Sequence, residues 1–135
     1  MAFLSDVEQM FHQVYVQPSD RNALRFLWWP NGDLQGEPEE YNMNVHLFGA
    51  TSSPSVCSYA LHKAAEDSRE EYSVQTIETI NNSFYVDDCL KSVANVNEAI
   101  SLVKELTSLL AKRGFRLTKW VSNEREVLSA VPSME

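Results

Sequence analysis

Residues 84–90 read Phe84-Tyr85-Val86-Asp87-Asp88-Cys89-Leu90, an apolar and aromatic run that stops at two adjacent aspartates and then resumes. The apolar flanks suit a buried strand, whereas two like charges side by side repel. A turn meets both demands, with the two carboxylates at the tip of a hairpin. Adjacent fixed carboxylates do little for stability but are well suited to holding a divalent cation. Asp-Asp is also ordinary turn chemistry. A third acid, Asp6, lies near the start of the chain. By spacing alone, Ser5 and Glu8 make Asp6 part of a helix cap as readily as a ligand.

The elements that must position these acids follow from the pattern along the chain. Phe3-Leu4 ends a short apolar segment that predicts a strand, and residues 6–13 read as a turn or short helix. Leu24 to Trp29 predicts a strand. Pro30-Asn31-Gly32-Asp33, with Gly36 and Pro38, predicts an acidic loop, and Tyr41 to Phe48 the returning partner strand. Ser53-Pro54 signals a helix start, with Ser as cap and Pro in the first turn, and that helix runs to about Asp67. Arg69 to Ile80 predicts a second helix. Ser83 to Val86 and Cys89 to Val93 form the hairpin around the aspartates. Asn95 with Glu98 resembles a capping box. Val96, Ile100, Val103, Leu106 and Leu110 then recur at steps of 4, 3, 3 and 4, an amphipathic helix that stops at Gly114. Phe115 to Val121 is a last strand, Asn123 to Leu128 a short helix, and the final residues a loose end.

With the acidic hairpin set aside as an insertion, the order is strand, helix, strand, strand, helix, strand. That is an α+β, ferredoxin-like arrangement, a split β-α-β with an antiparallel sheet packed on helices. In it the first strand and the central hairpin are neighbours, about 5 Å apart. Asp6 at the end of the first strand can therefore meet the acids at the hairpin tip.

The 135 residues are one domain by length. Hydrophobic residues make up 44% and charged residues 22%, a globular composition. No 18-residue apolar stretch occurs, so no membrane partner is expected. The start lacks the cationic segment of a signal peptide. Cys57 and Cys89 form neither a disulfide framework nor a metal spacing, and His12, His46 and His62 show no ligand spacing. The net charge of −8 opposes phosphate binding over most of the surface. Its distribution is uneven: residues 31–60 carry Asp33, Glu37, Glu39 and Glu40 and no Lys or Arg. Residues 95–120 carry Lys104, Lys112, Arg113, Arg116 and Lys119 against Glu98 and Glu105. A phosphate-facing surface is expected late in the chain; a solvated helix face is the other reading of those cations.

Four blocks together resemble the palm of reverse transcriptases, most of all that of the Bel/Pao group of long-terminal-repeat retrotransposons. Ser5-Asp6-Val7-Glu8-Gln9-Met10-Phe11-His12-Gln13-Val14 resembles motif A, and Phe48-Gly49-Ala50-Thr51-Ser52-Ser53-Pro54 motif B. Phe84-Tyr85-Val86-Asp87-Asp88 resembles motif C, the YVDD motif, and Gly114 to Asn123 resembles motif D and its extension. Residues 20–28 also have the look of this group. The likeness spans residues 1–135 as one polymerase palm. The chain carries no stretch resembling the fingers, primer grip, thumb or RNase H region.

The resemblance implies an RNA-directed DNA polymerase, a nucleotidyltransferase adding deoxynucleotides to a primed RNA or DNA template. It implies two Mg2+ or Mn2+ ions held by Asp6, Asp87 and Asp88, with help from the Val7 carbonyl. Phe11 would lie under the sugar as a gate against a 2′-hydroxyl. Phe48 and Gly49 would run along the templating base and nucleotide, and Tyr85 belongs to the same substrate-binding set. Lys119 is the candidate general acid to pyrophosphate; a solvated edge-strand lysine is the competing reading. The implied setting is cytoplasmic, in the virus-like particle of the parent element. Without the cationic fingers and thumb, the chain is expected to polymerise poorly or not at all alone. Two rivals remain: a non-catalytic palm remnant serving as an interaction module or without function, and another enzyme on the same fold, such as a nucleotidyl cyclase. The motif B block argues against the second.

Overall fold

The computed structural model describes residues 1–131. Four strands form one antiparallel sheet: β1 (Ala2–Val7), β4 (Phe84–Tyr85), β5 (Asp88–Ser92) and β6 (Leu117–Ser122), in the order β4-β5-β1-β6. Helices α1 (Ser53–Asp67), α2 (Val74–Asn82), α3 (Val96–Lys112) and the short α4 (Arg125–Ser129) accompany it. A separate two-stranded ribbon, β2 (Arg25–Trp28) with β3 (Glu39–Asn42), is inserted between β1 and α1. This is the split β-α-β order expected from the sequence, with the acidic hairpin as an insertion.

Strand β1 alternates between buried and partly exposed residues, so Phe3, Ser5 and Val7 face the core while Leu4 and Asp6 face away. Phe3 and Val7 pack with Cys57, Leu61 and Ala65 of α1, Ile77 and Ile80 of α2, and Cys89 of β5. The apolar stripe of α3 completes this core through Leu102, Val103, Leu106, Leu109 and Leu110. Its start is capped as the spacing predicts: the Glu98 N–H donates to Asn95 Oδ1 at 2.9 Å, and Glu98 Oε2 accepts from the Ala94 N–H at 3.3 Å. At its end Gly114 adopts φ +86°, Gly114 N–H bonds Ala111 O at 3.2 Å, and Phe115 N–H bonds Leu110 O at 2.9 Å. This Schellman closure turns the chain into β6.

Several boundaries differ from the sequence reading. Residues 68–73 are not helical, because α2 begins only after Ser73, whose hydroxyl accepts the Thr76 N–H at 3.3 Å. The returning strand of the ribbon spans Glu39–Asn42, not Tyr41–Phe48; beyond it only a single bridge joins Val45 to Tyr15. Ser53 does not cap α1. Its side chain is fully buried and meets His46 Nδ1 at 3.3 Å, and Ser52 takes the cap position without a side-chain bond. Ser5 is strand, which removes the cap reading of Asp6. The loose end expected at the chain's last residues falls largely on 132–135, outside the described residues.

Candidate active site

The turn between β4 and β5 is formed by Val86 and Asp87, with Tyr85 and Asp88 paired across its base. Asp87 therefore sits at the hairpin tip, whereas Asp88 is the first residue of β5. The sequence reading had put both carboxylates at the tip. A two-residue hairpin favours a positive φ at its first central position, and Val86 occupies it at φ +55°. A β-branched side chain resists that conformation at a cost on the order of 1–3 kcal/mol. The turn is held down by a bond from the Val7 N–H to Asp87 O at 2.8 Å.

Asp6 lies directly opposite Asp88 in the β1–β5 pairing, so the two side chains share the open face of the sheet. On its other side Asp6 opposes Thr118 of β6, while Leu4 opposes Val121. Lys119 and Trp120 are thus squeezed against Ser5 alone, a β-bulge. Lys119 at the bulge has φ +53°. Bulges re-aim side chains, and this one brings Lys119 Nζ to 3.4 Å from Asp6 Oδ2. The Asp6 side chain is only 18% exposed, so this ion pair is shielded on the acid's side.

Asp6, Val7, Gln9, Met10, Phe11, Phe48, Asp87 and Lys119 line one cavity of about 230 Å3. Its apolar wall is a pair of rings, Phe11 and Phe48, with centroids 5.0 Å apart and planes tilted by 57°. His12 meets Phe48 edge-on at 5.6 Å. Below the wall, the Glu8 N–H bonds Arg116 O at 2.8 Å and Arg116 Nη1 reaches Glu8 Oε2 at 2.9 Å. Four non-glycine residues have positive φ among the described residues: Gln9, Asn31, Val86 and Lys119. Gln9 and Lys119 line this cavity and Val86 adjoins it, so backbone strain gathers where the acids are, as it does at functional sites.

Of the residues singled out from sequence, Asp6, Asp87, Val7, Phe11, Phe48 and Lys119 line the same cavity. Asp88 faces Asp6 from the neighbouring strand. Tyr85, 83% exposed, and Gly49 are not among the cavity's lining. Gly49 has φ +83° with nothing near an added Cβ, so its role there is conformational. No group of three or more His, Cys, Asp or Glu stands close enough to hold a metal ion among the described residues. The donor chemistry nevertheless suits one: the hard carboxylate oxygens of Asp6 and Asp87 line one small cavity.

Sequence reasoning missed Gln9, His12 and the Glu8–Arg116 brace. A positive φ at Gln9 leaves no mark in composition, and Arg116 meets Glu8 only through the fold. A larger cavity, about 760 Å3, lies elsewhere, lined by Tyr15, Asp20, His46 and Val56 among others. Asp20 is its one acid, so it offers no paired carboxylates. Beneath the acids, burial pushes the Cys89 thiol up to about 12, and the Cys57 thiol to about 11. Neither is a nucleophile at neutral pH.

The family model for reverse transcriptase (RNA-dependent DNA polymerase) matches residues 1–120. The chain belongs to the reverse transcriptase family. No curated protein matches it. The match takes in β1, the ribbon, the β4–β5 turn and Lys119, hence every lining residue of the acid cavity. A reverse transcriptase works on a nucleic-acid template-primer and generally with divalent metal ions. The mixed sheet-on-helix architecture is compatible with the palm of such an enzyme.

Proposed function

We propose that this chain is the catalytic palm core of an RNA-directed DNA polymerase of the Bel/Pao retrotransposon group. In this reading it transfers deoxynucleotides onto a primed template by a two-metal route. The supporting observation is that Asp6 and Asp87 share one small cavity, walled by Phe11 and Phe48, with Asp88 across from Asp6. Asp6, Asp87 and Asp88 would hold two Mg2+ or Mn2+ ions, with the Val7 carbonyl assisting. Bound there, such ions activate an attacking hydroxyl and stabilise a leaving pyrophosphate.

The chain's own groups supply the rest. The Phe11 ring closes the space a 2′-hydroxyl would need, and Phe48 offers a ring where a hydrogen-bonding side chain would select by polarity. Lys119 Nζ is the proton donor to pyrophosphate, released from Asp6 as the nucleotide enters. Fingers, thumb and RNase H parts of the polyprotein would bring the remaining cations, and the parent element's cytoplasmic particle would be the setting. Positioning and electrostatics supply most of the rate in phosphoryl transfer. The 135 residues alone are therefore expected to give no primer extension. The second reading, a palm remnant serving as an interaction module, is favoured by the exposed ribbon.

The test is thermal melting with and without Mg2+ or Mn2+, beside primer extension. Ion binding should raise the Tm by a few degrees through mass action. The Asp87→Asn, Asp88→Asn double variant should lose that response and melt no lower in metal-free buffer. An unchanged metal response in the double variant would place the ion elsewhere. Robust extension by the isolated chain would overturn its dependence on other parts. No extension from a chain completed with fingers and thumb would favour the remnant.

A further inference from the structure

Lys119 holds a backbone conformation that is costly for a lysine, and that conformation brings its ammonium to Asp6. It sits at φ +53° in the β6 bulge opposite Ser5, a region that non-glycine residues seldom occupy. Regular strands alternate their side chains strictly between two faces; the extra residue of a bulge breaks that alternation and re-aims one of them. Here the re-aimed ammonium ends 3.4 Å from Asp6 Oδ2. The Asp6 side chain is largely shielded, whereas the Lys119 side chain is 75% exposed. One partner is thus fixed in the packed body and the other reaches in from solvent. The pair can open by rotation of the lysine side chain alone, with no strand displaced.

The charges around the cavity say what such a cation does there. Asp6 and Asp87 line it, and Lys119 is the one cation among its described lining residues. Arg116 is engaged by Glu8 at 2.9 Å. Asp88 faces Asp6 across the β1–β5 pairing. Like charges directly opposite in a sheet destabilise it, and a cation within about 4 Å offsets that repulsion. Among the described residues no three acids gather closely enough to share an ion; Asp6 engages the ammonium instead. We infer, on the reading of Asp6 as a metal ligand, that Lys119 is a built-in stand-in cation. It occupies the Asp6 carboxylate while the divalent ion is away and must be displaced for that ion to bind. The consequence is a trade: the acids are tolerated without metal, and their metal affinity is lower than the carboxylates alone would give. Once released, the side chain remains beside the cavity, where its proposed part in proton transfer needs it.

The experiment titrates Mn2+ into the whole chain and its variants, read by calorimetry and by thermal melting. Lys119→Gln keeps a side chain of similar reach without the charge. It should melt lower than the native chain in metal-free buffer, bind Mn2+ about fivefold to tenfold tighter, and close the melting gap as Mn2+ saturates. A lysine with only a structural role would lower melting by the same amount at every Mn2+ concentration. Lys119→Arg retains the positive charge and should stay within about twofold of the native affinity. Lys104→Gln removes one charge from an exposed position of α3 and should also stay within about twofold. Equal Mn2+ affinity in Lys119→Gln and the native chain, with the response abolished by Asp6→Asn, would overturn the inference and leave Asp6 a metal ligand. Equal tightening in Lys104→Gln would overturn it as well, reducing the effect to net charge. A response seen only in Lys119→Gln would support it, with the ammonium as the dominant occupant. A native response that survives Asp6→Asn, or no response in either protein, would overturn the reading of Asp6 as a metal ligand and the stand-in role with it.

Discussion

The sheet-and-helix body and the β2–β3 ribbon are built from similar residue types and meet opposite fates. In the body, Phe3, Leu61, Leu102 and Leu106 are buried almost completely, each strand backed by a helix. In the ribbon, Phe26, Leu27 and Trp28 stay 43%, 64% and 53% exposed. Hydrophobic stabilisation scales with area removed from water, so the body carries the stability and the ribbon contributes little. The acid cavity lies at the edge of the body. Packing there is firm enough to hold Val86 and Lys119 in unfavourable backbone conformations. Val86 and Lys119 hold costly conformations beside the packed core, whereas the one positive φ of a non-glycine residue in the ribbon's exposed loop falls on Asn31, a residue type that tolerates it.

The sharpest way to break this contrast is one truncation in each region. Leu106→Ala empties part of the fully buried α3 stripe and should cost about 2–5 kcal/mol in urea unfolding. Trp28→Ala, a larger truncation on the ribbon, should change stability by no more than about 0.5 kcal/mol. Similar losses from the two would mean that the ribbon is part of the cooperative unit. A second probe targets the chain reversal that feeds β6 and its bulge. Gly114→Ala meets no atom, so its cost is conformational only, about 1–2 kcal/mol for a left-handed residue. A neutral outcome would show the helix end relaxing without the Schellman closure.

The smallest effect is a pH dependence inside the body. Burial acts to raise the pKa of Glu105, but hydrogen bonds from Ser73 and Thr76 outweigh it and hold the carboxyl below its ordinary value. A depressed carboxylate stabilises the folded state fully above its unfolded pKa, and that contribution fades as pH falls through the lower folded value. Glu105→Gln should therefore lower stability at neutral pH and flatten the loss between about pH 5 and the acid limit. Denaturant midpoints collected from pH 7 down to pH 3 check it; a Glu105→Gln profile parallel to the native one would remove the network from the account.

Much was legible in the chain because it rests on local rules. The amphipathic steps of α3, the Asn95 cap, the Gly114 stop and the Asp-Asp turn signal are each written within a few residues, and local hydrogen bonding and periodicity enforce them. The order of elements then left few topologies, and the sheet order β4-β5-β1-β6 is the one it implied. The motif blocks carried the family. Other features were settled only by the assembled fold. Whether Asp87 or Asp88 sits at the tip depends on the register of β5 against β4. The reach of Lys119 to Asp6 depends on a bulge opposite Ser5, and the departure of Ser53 from its capping role on a histidine seven residues away. These depend on which backbone groups meet across strands and loops. Side-chain direction in a sheet reverses with a one-residue slip, so no local pattern can determine it, and only the packed tertiary structure does.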